Sequence, residues 1–328
     1  MDMKKWLADV TAGEKKPLPV LSYPAVQELG ITVGELASSS EKQVAGMKLI
    51  ADRYDMPASV TYMDLSIEAE AFGANCVYGD SEVPTITGKL IGTEEEAEAL
   101  RVPEIGAGRT GVAVETVEKA VALITDRPVL AGCIGPFSLT GRLMNVNDVM
   151  VSCYTEPELV HAVLQKAEAF ITSYILALKA AGADGVIMAE PLAGILSPDL
   201  MQEFSSEYVA RIVKAVEDDS FLVVYHNCGS AINQLVPEVL ATGCRAYHFG
   251  ESADMPAMLA AIPGDCLVMG NISPSSVFNN STPDKMREAV AALRASCAGH
   301  ANFVLSSGCD IPPRTSFEMI DAFFEAAK

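Results

Sequence analysis

Eight short apolar runs set the strongest constraint on how this chain can fold. They are LPVLSY (18–23), SVTYMDL (59–65), PVLAGCIG (128–135), GVIMAEP (185–191), FLVVYHNC (221–228), RAYHFG (245–250), CLVMGNI (266–272) and NFVLSSG (302–308). Most are unbroken rather than alternating, the pattern of strands covered on both faces in a parallel sheet. Helical stretches lie between most of them, at 41–52, 114–125, 158–181, 198–217, 283–296 and about 315–327. Ser197 and Thr282 stand where N-caps belong, and each precedes a proline suited to the first helical position. Strands alternating with helices through 328 residues predict a (β/α)8 TIM barrel. An open, doubly wound sheet is the alternative, weakened because no GxGxxG follows the first run. Residues 1–17 read as an N-terminal helical extension and 18–328 as a single catalytic domain. The segment from about 66 to 128, with PTITGKLIGTEEEAEALRVPEIG, is long for one crossover. It reads as an insertion after the second strand that caps one end of the barrel.

Composition narrows the function. The formal net charge of −20 argues against a nucleic-acid phosphate backbone as partner, since that contact needs Lys and Arg. The eight cysteines are scattered without a CxxC pair, which predicts reduced thiols in a cytoplasmic protein. The start, MDMKKWLADVTAGEKKP, has no apolar leader, and no run reaches the length of a membrane span, so no membrane association is expected.

In a barrel of this kind the chemistry sits where strands end and the following loops begin. The fifth strand ends in His226-Asn227-Cys228-Gly229. Residues i and i+2 on a strand share a face, so His226 and Cys228 project together. An imidazole nitrogen beside a thiolate sulfur is half of a zinc site. The best third ligand is Cys309, in SSGCDIPP after the eighth strand. Gly308 before it and Pro312-Pro313 after it suit a loop that bends inward. The fifth and eighth strands are not neighbours, so that loop must fold across the barrel mouth. Taken singly, such a cysteine is a small apolar core residue and such a histidine simply a hydrogen-bonded one. Only the three together point to a metal.

Other strand ends supply further candidates. The second carries Asp64 and Glu68. Glu190, after the fourth, is a candidate catalytic residue, as a fourth ligand or as the acceptor for His226. His248, after the sixth, is a second candidate catalytic residue that lines the pocket with Glu251. Asn271 and Ser273, after the seventh, are placed to bond a substrate's polar tail. Gly135, in the glycine-rich GCIGPFSLTGRL (132–143), is a candidate cofactor-docking position. Asp310 is suited to orient the Cys309 loop, and Asp184 reads as structural.

The segments KPLPVLSYPAVQELGITVGEL, GCIGPFSLTGRL, AGADGVIMAEPLAGILSP, YHNCG and SSGCDIPP together resemble the uroporphyrinogen decarboxylase-like superfamily. Within it they are most similar to the methylcobamide:coenzyme M methyltransferases. The resemblance implies a TIM barrel and a zinc motif, His-x-Cys with a much later Cys, that falls on His226, Cys228 and Cys309. It further implies Zn2+ as cofactor and a methylcorrinoid as methyl donor, carried on a separate corrinoid protein. The acceptor would be a small-molecule thiol such as coenzyme M, for whose charged tail Arg142 and Arg314 are candidates. The decarboxylase branch fits less well. Its members open with an arginine-rich stretch ending in Gly-Arg, whereas LSYPAVQELG here has no arginine. Methyl transfer to or from another acceptor such as tetrahydrofolate, and a decarboxylase-like enzyme without catalytic zinc, remain as alternatives.

Overall fold

The computed structural model describes residues 1–328. Seven of the apolar runs pair into one sheet. In chain order the strands are β1 (Ser59–Val60), β2 (Asn75–Val77), β3 (Thr85–Thr87), β4 (Val129–Ile134), β5 (Gly185–Ala189), β6 (Leu222–Asn227), β7 (Ala246–Phe249), β8 (Leu267–Ile272) and β9 (Phe303–Ser307). The main sheet runs β1-β4-β5-β6-β7-β8-β9, and every adjacent pair in it is parallel. β4 to β9 are almost wholly buried, as their unbroken apolar sequences require. The register sets Ala189, His226, His248 and Met269 in one row across β5, β6, β7 and β8.

The first apolar run departs from expectation. Residues 18–23 are buried, yet they form no strand, and the sheet has seven strands rather than eight. Pro17, Pro19 and Pro24 have no N–H to give a ladder. The run instead lies alongside β9, where Leu18 N donates to Leu305 O at 2.9 Å. Serine hydroxyls supply the rest: Ser306 Oγ donates to Leu18 O at 2.7 Å, and Ser307 Oγ accepts from Val20 N at 3.0 Å.

Helices pack against the sheet through stripes set by their 3.6-residue period. In Pro157–Ala180 the stripe runs Leu159, Val160, Val163, Leu164, Ala167, Phe170, Ile171, Tyr174, Ile175 and Leu178, all buried. The predicted 198–217 helix is present as Pro198–Met201 and Glu207–Val216, joined through a wide turn at Gln202–Ser206. The N-terminal helix Met3–Ala12 is capped by Asp2 and buries Met3, Trp6, Leu7 and Val10. Trp6 Nε1 donates to Pro57 O and Met3 N to Asp219 O, both just ahead of strands. This helix therefore lies at the end of the sheet opposite the strand C-termini.

Between β1 and β4 the chain forms the helices Ile67–Ala71, Glu94–Ala99 and Thr110–Leu123 and the antiparallel β2–β3 hairpin. Buried Arg109 ties this segment to the end of β1. Its guanidinium pairs with Asp64, with Glu70 at 2.6 Å and with Ser66 Oγ at 2.7 Å. No helix is long and apolar enough to cross a membrane.

Candidate metal centre

β6 runs without polar interruption to Tyr225 and then delivers His226 and Cys228 to one side. Asn227 faces the other way and fixes the turn. Its Nδ2 donates to Glu190 O at 2.8 Å, and its Oδ1 accepts from Gly229 N at 2.9 Å. Cys309 arrives on the loop after β9. Gly250 is needed here: a Cβ on it would strike the Cys228 side chain, lying 2.6 Å from Cys228 Cα and closer to its Cβ.

The result is a cluster in which one donor atom from each of His226, Cys228 and Cys309 lies within 4.8 Å of the other two. The three border a cavity of about 80 Å3 whose remaining walls are Val20, Met63, Leu65, Ile187, Ala189, Pro191 and Asp310. The Cys228 thiol is held below its ordinary value, first by its hydrogen bond with Cys309. That same bond, with burial, pushes Cys309 up to about 12.

His226 is buried, and its Nε2 has no hydrogen-bond partner in the protein. Its Nδ1 is 2.7 Å from Nδ1 of His248 and 3.2 Å from the His248 carbonyl oxygen. One nitrogen and two sulfurs are the donor set zinc takes, with Zn–N near 2.0–2.1 Å and Zn–S near 2.3 Å. An orphaned buried imidazole nitrogen facing two thiols fits such an ion. Three protein ligands are also the number found in zinc sites that keep a position for substrate.

The other candidates lie as follows. Glu190 is fully buried, but its carboxylate faces the first turn of the helix Pro136–Met144. It accepts from Phe137 N at 2.6 Å, Ser138 N at 3.0 Å and Ser138 Oγ at 2.8 Å. That helix start draws the carboxylate away from His226. Burial nonetheless raises Glu190 to about 7. Gly135 packs against this carboxyl group and does not line the cavity. Asn271 spends its amide on Gly250 O and Ala253 O, and Ser273 caps Pro274–Asn279 by accepting from Ser276 N. Neither lines the cavity.

His248 is fully buried behind His226, with Nε2 2.8 Å from Ser306 Oγ. Burial, then His226, lowers its pKa well below the usual histidine value. Glu251 is exposed. Arg314 is exposed, bonded to Ser81 and paired with Glu82, and neither it nor Arg142 reaches the cavity wall. Asp310 does, with both carboxylate oxygens buried and without partners. Ser306 is a further partner of this site, through His248. Its signal was a hydroxyl inside an apolar strand, where a buried hydroxyl must find a partner.

Residues 19–328 match the family model described as uroporphyrinogen decarboxylase (URO-D). The chain belongs to the uroporphyrinogen decarboxylase family. Proteins named for two different activities are among its relatives. The methylcobamide:CoM methyltransferase MtbA of Methanosarcina acetivorans is 25% identical over 273 residues, spanning 81% of this chain and 77% of its own. The uroporphyrinogen decarboxylase of Psychromonas ingrahamii is 26% identical over 290 residues, spanning 83% and 80%. Among solved structures, a methyltransferase from Methanosarcina mazei superposes with a TM-score of 0.87 at 22% identity, covering 99% of this chain and 97% of its own. A B12-independent methionine synthase from Shewanella sp. W3-18-1 gives 0.61 at 14% identity, covering 96% and 94%. These two likenesses show the fold; identity near 25% to both kinds of enzyme leaves the choice between activities to the site.

Proposed function

We propose that this member of the family is a methyltransferase that moves a methyl group from a methylated corrinoid to the sulfur of a small thiol such as coenzyme M. The observation that carries the reading is the convergence of His226, Cys228 and Cys309 on one small apolar cavity at the strand C-termini. In this reading the three residues hold Zn2+, which when bound supplies a Lewis acid that keeps an entering thiol in its reactive thiolate form.

The chain's own residues do the rest. Two thiolates and a neutral imidazole bring a charge of −2 to a dication, so the loaded site is neutral and takes up an anionic sulfur readily. Val20, Met63, Leu65 and Ile187 exclude water from that sulfur, which leaves it poorly solvated and more nucleophilic. They also narrow the directions from which that sulfur can be approached. A cavity of about 80 Å3 is far too small for a corrin ring. The ring must therefore meet the mouth from outside, as it would if carried on a separate corrinoid protein. The decarboxylase reading is less well supported, because a polycarboxylate needs cations and the cavity wall contains no Lys or Arg. Eight free cysteines fit a reducing, cytoplasmic setting.

The test is direct. Purified protein should contain about one zinc per chain, and zinc-loaded protein should demethylate methylcobalamin in the presence of thiols, with the S-methyl product found by mass spectrometry. A chelator should stop turnover and zinc restore it. Transfer to tetrahydrofolate but not to thiols, or full turnover in Cys309→Ala, would sink the proposal.

A further inference from the structure

We infer that the Leu18 carbonyl, Ser306 and His248 form a one-way hydrogen-bond chain that leaves Nε2 of His226 as a bare lone pair facing Cys228 and Cys309. His248 and Ser306 are then positioning residues for the metal ligand, an inference that rests on the zinc reading above.

The direction of each bond follows from the one before. A carbonyl oxygen can only accept, so the Ser306 hydroxyl, 2.7 Å from Leu18 O, must point its proton there. Ser306 Oγ then accepts from His248 Nε2 at 2.8 Å, which places a proton on that nitrogen. His248 is fully buried, and its ring nitrogens face His226, Ser306 and the Ser307 backbone, with no carboxylate among them. A second ring proton would make it a buried cation with no counter-charge. Its Nδ1 therefore holds a lone pair. Nδ1 of His226, 2.7 Å away, must be the donor. Its second neighbour, the His248 carbonyl at 3.2 Å, is also an acceptor and demands the same. A neutral imidazole has one N–H, so Nε2 of His226 has none. That is the atom left without a partner and the atom a metal needs.

The sheet builds this chain. The register pairs His226 with His248 on adjacent strands, and the proline-rich first run brings its carbonyl to β9. Metal-bound histidines usually donate their second N–H to a carboxylate, a carbonyl or water. A second neutral histidine fixes the tautomer without adding charge to the site.

The experiment uses the full chain with 15N-labelled histidine, stripped of metal. The chain has four histidines, so resonances can be assigned by single substitution. Long-range 1H–15N spectra should show His226 protonated at Nδ1 and His248 at Nε2. Zinc affinity by chelator competition should fall about 10- to 100-fold in Ser306→Ala and His248→Leu. His248→Gln should recover most of it, because a glutamine amide can accept from His226 and donate to Ser306. An Nε2–H tautomer at His226, unchanged affinity in Ser306→Ala, or a glutamine variant as weak as the leucine variant would overturn the inference. A wild-type chain with the stated tautomers that takes up no zinc would uphold the hydrogen-bond chain and defeat the metal reading instead.

Discussion

Gly135→Ala is expected to destabilise the protein by about 3–5 kcal/mol. A Cβ at this position would lie 2.5 Å from the carboxyl carbon and from Oε1 of Glu190, and closer still to its Cγ. Glu190 has no room to retreat. It is fully buried, and its carboxylate is pinned by Phe137 N, Ser138 N and Ser138 Oγ. Overpacking of this kind costs about 1–3 kcal/mol. Moving the carboxylate forfeits at least one hydrogen bond to a charged group, worth about 1.5–3 kcal/mol. With an unfolding entropy of about 2.1 cal/mol/K per residue, a chain this long loses roughly 4–7 °C of Tm. Scanning calorimetry of both proteins under identical conditions measures the difference. The cause is isolated by repeating the substitution in a Glu190→Ala background, where the clashing group is gone and the added methyl should cost less than about 1 kcal/mol. A Gly135→Ala protein melting within a degree of wild type, or the same loss in both backgrounds, would refute this account of Gly135.

If the site holds zinc as proposed, chelation should lower Tm by several degrees, since an ion at 100 times its Kd contributes about 2.7 kcal/mol. Cys228→Ser and Cys309→Ser should melt at the chelated temperature and ignore the chelator. Glu68 is buried and raised by burial from the ordinary 4.5 to about 7. Below pH 4.5 folded and unfolded states both hold its proton. Between 4.5 and 7 only the folded state does, and above 7 the folded state bears a buried anion, so stability falls as pH rises through this window. Urea titrations of Glu68→Gln should show that decline reduced by about 3 kcal/mol; an unaltered pH profile would mean that Glu68 is not its source. Arg109→Met leaves buried Asp64 without its cation and should cost about 3–5 kcal/mol in urea denaturation. Adding Asp64→Asn should recover part of that loss.

The sequence showed the strands through their unbroken apolar runs and the metal candidates through the two-residue spacing of His226 and Cys228. Both are short-range signals: a strand's burial and its facing are written in consecutive residues. Three features were out of reach for a physical reason. Residues 18–23 have the burial of a strand without its pairing, because burial depends on side chains while pairing depends on N–H groups that the flanking prolines lack. Glu190 ends a strand like a catalytic carboxylate, but a neighbouring helix start captures it. The partners of His226 belong to β7 and β9, and only the register between strands brings His248 and Ser306 to it.

The order in which the three donors occur along the chain has a consequence for biosynthesis. His226 and Cys228 emerge from the ribosome well before Cys309, which follows the last strand. On the zinc reading, a nascent chain first exposes a two-point grip that holds an ion weakly, and firm capture has to wait for Cys309. Stalled chains of increasing length should show a step in zinc retention only once position 309 has cleared the exit tunnel.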